Sequence, residues 1–155
     1  MGANENAVVV VGGGPTGLML AGELALAGID VVVVERRADQ FVDGSRARGL
    51  LPRTIEVLDQ RGIADRFLDA GYTVPAHGYA AIPLALNDLP SRHNYVLALP
   101  QSRFEPLLAE WVEELGVPIL RNREVTGFSQ DDTGVELEIA DSPTVRTSWL
   151  VGCDG

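Results

Sequence analysis

The chain has 155 residues, 46% of them apolar, and a formal charge of −10 at pH 7. That length supports one domain with a real core, and the acidity excludes the clustered Lys and Arg surface that nucleic acid requires. A single cysteine, Cys153, excludes an internal disulfide and fits a reducing cytoplasm, while no apolar run approaches the roughly 20 residues of a membrane-spanning helix.

Ala7 to Val11 is short, apolar and β-branched, the pattern of a strand buried on both faces of a parallel sheet. Pro15 opens a helical pattern with a broad apolar face of Leu18, Leu20, Ala21, Leu24, Ala25 and Ala27, and Gly28 stops it. Val31 to Val34 repeats the buried-strand pattern, so the chain opens β-α-β. From Arg36 to Leu51 the sequence is polar, with Arg46 and Arg48 flanking Ala47, and reads as an ordered functional loop. Pro52 to Arg61 reads as a helix stopped by Gly62, and Ile63 to Ala70 as a second, shorter one. Residues 71–100 alternate apolar positions with several prolines, which favours extended strands and a small second layer.

Gln101 to Leu115 returns to helical spacing, with Phe104, Leu107, Leu108, Trp111 and Leu115 on one side. Trp111 lies on that stripe and reads as core. Three strands follow, at Glu124 to Ser129, Val135 to Ala140 and Val145 to Val151, with a turn at Asp131–Gly134 between the first two. At the end of the chain Trp149, Leu150, Val151 and Gly152 read as a buried strand. His77 and His93 have no partner that the sequence can place and read as surface or core residues. Cys153 reads as a small packing residue, because the neighbouring Asp154 raises rather than lowers a thiol pKa. No spacing of ligand types suggests a metal site.

Gly12-Gly13-Gly14-Pro15-Thr16-Gly17 fits G-x-G-x-x-G and lies between an expected strand and an expected helix, the context that gives this motif its value. Gly12 permits the tight turn, Gly14 the close approach of a pyrophosphate, and Gly17 the packing of helix on strand. N–H groups at the helix start face the anion, helped by the helix dipole. Glu35 follows at the end of the second strand, where a carboxylate accepts the hydroxyls of an adenosine ribose and repels a 2′-phosphate, which disfavours NADP at this site. The pattern predicts dinucleotide binding and leaves the choice between NAD and FAD open.

The segment after Glu35, ERRADQFVDGSRARGLLPRTIEVLDQRGI, together with LPQSRFEPLLAEWVEELG and the terminal WLVGCDG, resembles the FAD-dependent aromatic hydroxylases, the single-component flavoprotein monooxygenases. The resemblance spans essentially the whole chain and is closest to enzymes that oxygenate aromatic polyketides and related antibiotics. It implies an α/β, Rossmann-like FAD-binding domain with a β-α-β start, a parallel sheet and an added small antiparallel β layer. It implies FAD as cofactor, NAD(P)H as reductant, and O₂ and an aromatic small molecule as substrates. Glu35 would hold the adenosine ribose and Arg36 would lie beside the adenine. Arg46 would approach FAD near the pyrophosphate and ribityl chain, and Gln101 would bond the same stretch. Val125 would read the adenine edge through its backbone, and Asp154 with Gly155 matches an Asp-Gly motif associated with both FAD and the pyridine nucleotide. Simpler readings stand beside these: Arg46 pairing with Asp43 or Glu56, Gln101 capping its helix, Val125 as a plain strand residue.

Enzymes of that family run to several hundred residues, with a second Gly-Asp motif and a substrate-binding sheet that this sequence lacks. Residues 1–155 are therefore expected to form an incomplete FAD-binding domain, with 71–100 as an insertion leading toward a substrate-binding layer. The competing readings are a flavin or nicotinamide reductase of related fold and a non-enzymatic nucleotide-binding module. The sequence identifies no catalytic residue.

Overall fold

Two runs of four valines set the architecture, because β-branched side chains favour extended backbone and a wholly apolar strand is stable only when both faces are covered. The computed structural model describes residues 6–41 and 46–155. In chain order the elements are β1 (Val8–Val11), α1 (Pro15–Leu26), β2 (Val31–Val34), β3 (Gly49–Leu50), α2 (Pro52–Gln60), α3 (Ala64–Leu68), β4 (Tyr72–Val74), β5 (Ala76–Tyr79), β6 (Ile82–Ala85) and β7 (Val96–Ala98). There follow α4 (Gln101–Glu114), β8 (Ile119–Leu120), β9 (Val125–Asp131), β10 (Gly134–Ile139), β11 (Val145–Thr147) and β12 (Trp149–Gly152). The chain divides into two compact units, one of Met1–Gln40 with Leu108–Gly155 and one of Phe41–Leu107. Among the described residues no helix is long and apolar enough to cross a membrane.

In the first unit β1 and β2 pair in parallel, Val9 opposite Val32, within a sheet of order β12-β1-β2-β8. Pro15 stands at the start of α1, where its missing N–H has no helical partner to lose. Gly28, at φ +74°, ends the helix, and the N–H groups of Gly28 and Ile29 return to Ala25 and Leu24 carbonyls. Leu18 and Ala21 are fully buried, and Trp111 of α4 lies against Gly22 so closely that a Cβ there would sit 2.3 Å from the indole ring. Trp111 is therefore core, as its stripe predicts. On the other sheet face, Val9, Val32 and Val34 form one cluster with Val135, Leu137 and Ile139 of β10, which belongs to an antiparallel sheet of order β11-β10-β9. Burial of each such side chain contributes about 2 kcal/mol. The parallel sheet and added antiparallel layer are as the sequence predicts.

Two expectations for this unit change. The closing strand expected over Val145 to Val151 is two strands: β11 runs antiparallel to β10, the chain breaks at Ser148, and β12 runs parallel to β1. The Thr147 hydroxyl stabilises the break by donating to the Asn6 carbonyl at 2.8 Å. β-propensity is continuous through the segment and does not show a change of partner. Trp149 is 70% exposed, because among the described residues β12 has a neighbour only on its β1 side. The short β8 escapes sequence reading: it joins the sheet through main-chain bonds such as Glu35 N–H to the Leu120 carbonyl at 2.9 Å, which leave no side-chain pattern.

In the second unit, β3, β7 and β4 form an antiparallel sheet with β7 central. Ile55, Leu58 and Phe67 of the two short helices are buried, as are Leu97 and Leu99. His93, for which the sequence offers no partner, is buried with Nδ1 2.8 Å from the Tyr95 hydroxyl and Nε2 3.1 Å from Asp59 Oδ2, the latter without the alignment of a hydrogen bond. β5 and β6 form a hairpin exposed along its whole length. Its tip is Ala80–Ala81, both at positive φ (48° and 64°), a conformation that Asn and Gly adopt more readily than Ala.

Ala81→Gly should stabilise the hairpin by roughly 1 kcal/mol, read as slower amide exchange in β5 and β6. Gly22→Ala should destabilise the protein by about 1–3 kcal/mol through the clash with Trp111, read as a lower urea midpoint at unchanged slope.

Candidate functional site: the glycine turn and its acidic partner

The turn after β1, the end of β2 and the exit of β12 all lie at the carboxyl ends of parallel strands, where open α/β sheets bind ligands. Gly12 adopts φ +106° and its N–H donates to the Val34 carbonyl at 2.8 Å. A Cβ on Gly12 would lie 2.5 Å from the Cys153 carbonyl oxygen, so the backbone beyond β12 also requires glycine here. At Gly17 a Cβ would lie 1.9 Å from the Gly12 carbonyl oxygen, which is how the helix packs directly on the turn. Gly14 is different. Nothing lies within 4 Å of the position its Cβ would take. It is the N-cap of α1, with no side-chain cap and no acidic residue in the first turn, so with Pro15 and Thr16 it leaves the positive end of the helix open to an anion.

Glu35 is 5% exposed and holds the turn from the far side. Its Oε2 accepts the Gly13 N–H at 2.6 Å and the Arg37 guanidinium at 3.2 Å, and its Oε1 accepts the Arg37 N–H at 2.8 Å. Burial pushes the carboxyl up, but hydrogen bonds from the Arg37 side chain, the Arg37 N–H and the Gly13 N–H, with the Arg37 charge, outweigh it and hold the group below its ordinary range. Gln40 Nε2 donates to the Gly13 carbonyl at 2.9 Å, and Gln40 Oε1 accepts from Arg121. The main chain of Gly13 is thus held at both its N–H and its C=O. Sequence reading misses Arg37, Gln40 and Arg121 in this network. They lie in polar segments with no periodicity, and Gln40 is 27 positions from its partner.

The other expected site residues distribute as follows. Arg36 is exposed beside Glu35. Val125 is half-buried at the start of β9 and, with exposed Asp154, lines an open groove of about 890 Å³ whose walls include Phe128 and Trp149. Arg46 and Gln101 belong to the second unit, where the Gln101 N–H donates to the Ala47 carbonyl at 2.9 Å and brings the Arg46 segment to the start of α4. The Gln101 side chain donates its Nε2 to Glu105 Oε2 at 3.0 Å. Glu56, considered as a partner for Arg46, is bonded to Arg53 and Ser91 at 3.1 and 2.6 Å. Asp43, the other partner considered, lies outside the described residues. Burial and then the Asp154 charge push the Cys153 thiol up, which disfavours nucleophilic chemistry. Among the described residues no group of three or more His, Cys, Asp or Glu could hold a metal ion.

A parallel sheet, a glycine turn opened at the helix start and a buried carboxylate at the next strand end define a dinucleotide-binding domain, and an open Gly14 is what the close passage of a pyrophosphate needs. Residues 5–155 match the FAD binding domain family, and the chain belongs to it. The dinucleotide that the motif leaves open is FAD. The chain is 49% identical to a rifampicin monooxygenase of Streptomyces venezuelae over 96% of its own length and 31% of that protein. It is 39% identical to a dialkyldecalin synthase of Streptomyces rugosporus, over 97% of this chain and 32% of that one. Among solved structures, the anhydrotetracycline hydroxylase OxyS from Streptomyces rimosus superposes with a TM-score of 0.92 at 40% identity, covering 97% of this chain and 32% of that one. The chain thus spans about a third of the length of these relatives.

Because the Glu35 carboxyl is held below its ordinary value of 4.5 in the folded state, its contribution to stability is fully present above that value and is lost as pH falls through the lowered one. Glu35→Gln should therefore flatten the stability profile on the acid side of pH 4.5 while lowering stability at neutral pH. Urea midpoints across that range check both parts.

Proposed function

We propose that the protein is the FAD-binding part of an NAD(P)H-dependent flavoprotein monooxygenase acting on an aromatic, polyketide-like small molecule. The observation that carries the reading is the combination of an open Gly14 with a tightly closed Gly12 and Gly17: the turn is packed wherever it meets protein and vacant where a pyrophosphate would pass. The turn from Gly12 to Gly17 receives the pyrophosphate on the main-chain N–H groups of Gly14, Thr16 and Gly17, because Pro15 has none and those of Gly12 and Gly13 are given to the Val34 carbonyl and to Glu35. Glu35 offers the ribose its Oε1, which accepts the Arg37 N–H. Arg36 lies beside the adenine, Val125 reads its edge through backbone N–H and C=O, and Asp154 serves the cofactor from the end of β12. Arg46 and Gln101 hold the stretch from pyrophosphate to ribityl chain. FAD, when bound, supplies the redox chemistry, taking reducing equivalents from NAD(P)H and using O₂ to hydroxylate an electron-rich ring. Residues 71–100 lead toward the substrate, and their exposed Tyr72, Tyr79, Ile82 and Leu84 are the chemistry that an aromatic substrate layer would use. A cytoplasmic setting agrees with the lone cysteine.

A second reading has one observation in its favour. A relative named a synthase shares this domain at 39% identity, so the domain also occurs in a protein whose name denotes no oxygenation. Non-oxygenating use of bound FAD is the alternative. Residues 1–155 alone are expected to bind flavin without turnover, so the flavin-loaded full-length protein that contains this domain, supplied with NAD(P)H, an aromatic substrate and ¹⁸O₂, decides between them: substrate-dependent label in the product supports the monooxygenase, and bound flavin without label supports the alternative. A purified protein with no flavin absorbance and no affinity for FAD would overturn both.

The glycines give a sharper expectation. Gly14→Val adds a side chain in open space at an ordinary backbone conformation, φ −78°, and should leave the fold intact while abolishing FAD binding. Gly17→Ala should instead lower stability itself. Circular dichroism with FAD titration by fluorescence separates the two. Glu35→Ala should weaken FAD binding by about 1–3 kcal/mol.

A further inference from the structure

A peptide bond between two glycines has no side chain to fix the direction in which it faces, and Gly13–Gly14 is such a bond at the centre of the turn. A Cβ at Gly13 would lie 3.0 Å from Glu35 Oε2, so the buried carboxylate leaves little room for a stiffer residue there. Around Gly14 the space is open. The direction of this peptide must therefore be set from elsewhere. We propose that Gln40 is a positioning residue that holds the Gly13 carbonyl and so turns the Gly14 N–H toward the pyrophosphate, while Arg121 keeps the Gln40 amide in the orientation that does this. The inference rests on the reading that the turn receives the pyrophosphate of FAD.

The Gly13–Gly14 peptide is planar and trans, so its C=O and N–H point in opposite directions. The carbonyl accepts Gln40 Nε2 at 2.9 Å and Arg37 Nη2 at 3.3 Å, both from the segment that follows β2. The Gly14 N–H therefore faces away from that segment, and among the described residues it has no hydrogen-bond partner. A reversed peptide would put the carbonyl oxygen, with its negative partial charge, where the N–H now stands and would repel a phosphate. The two ends of the Gln40 amide have nearly the same shape, but their neighbours tell them apart. A guanidinium only donates, so the end bonded to Arg121 is Oε1, and the NH₂ is left for the Gly13 carbonyl, which only accepts. A turned amide would set oxygen against oxygen. Arg121 is itself paired with Glu113 at 3.7 Å. The Arg37 bond to the Gly13 carbonyl is the longer of the two, and its guanidinium is shared with Glu35, so it supports the hold of Gln40 rather than replacing it.

The test titrates the flavin-free full-length protein that contains this domain with ADP and with adenosine, which differ by the pyrophosphate alone. Gln40→Met keeps the length of the side chain but cannot donate. It should weaken ADP and FAD binding about three- to tenfold and leave adenosine affinity unchanged. Arg121→Met should cause a smaller loss of the same kind, and Arg121→Lys, which still donates to Oε1, should remove that loss. The double variant Gln40→Met, Arg121→Met should bind ADP no more weakly than Gln40→Met alone, whereas a cation acting directly on the phosphates would add its own effect. Equal losses for ADP and adenosine, no loss for either, or additive losses in the double variant would overturn the proposal. If the unaltered protein binds ADP no more tightly than adenosine, the reading of the turn as a pyrophosphate site fails, and the role of Gln40 with it. Should Gln40→Met fail to fold, Arg121→Met decides by its salt dependence. An ADP-selective loss that persists at high salt supports positioning through Gln40, and one that vanishes there is a screened charge effect and overturns it.

Discussion

The rest of the first unit depends on one steric constraint: the carbonyl of Gly12 lies where a side chain at residue 17 would have to be. This approach lets α1 start directly on the turn that leaves β1, which in turn aims the helix N-terminus at the carboxyl end of the sheet. The same residue, Gly12, is pressed from its other side by the backbone after β12. The turn is therefore clamped between the first helix and β12, and of its glycines Gly14 is the one with free space around it. Rigidity where protein meets protein and room where a ligand passes come from the same short segment.

Glu35 extends that constraint to the second strand. By accepting the Gly13 N–H it makes the acidic group at the end of β2 part of the turn, and Gln40 completes the hold through the Gly13 carbonyl. The cost of burying a carboxylate is offset by three donors, two of them main-chain N–H groups that cannot swing away. A binding group pre-organised in this way loses little conformational freedom when its ligand arrives.

What was legible in the sequence follows from which physical signals are local. The valine strands, the helices opened by Pro15 and Pro52, and the stops at Gly28 and Gly62 are written in residues next to one another, and the structure has them. The glycine turn was legible because steric tolerance belongs to single residues. What stayed hidden depends on distant partners: the sheet change at Ser148, the two-residue β8 held by main-chain bonds, and the links of Arg37, Gln40 and Arg121 to the turn. Trp149 was read as buried because its neighbours are apolar, but burial requires a covering surface, and that is a property of the fold rather than of the segment. His93 shows the converse, a residue without sequence context that the fold supplies with Asp59 and Tyr95.

The pairing of β12 with β1 also shapes how the domain is made. β1, α1 and β2 are adjacent in sequence and can associate as soon as they leave the ribosome, whereas β12 joins from residues about 140 positions later. Contacts so far apart in sequence are slow to form and raise the contact order of the whole unit. Until they form, one edge of β1 lacks its strand and stands open to pairing with other chains. The backbone at Cys153 and Asp154 closes over Gly12 only when β12 has docked. Nascent chains must therefore carry an unfinished nucleotide turn until about 140 further residues have been made, and its completion marks the point at which the sheet has found its correct partner.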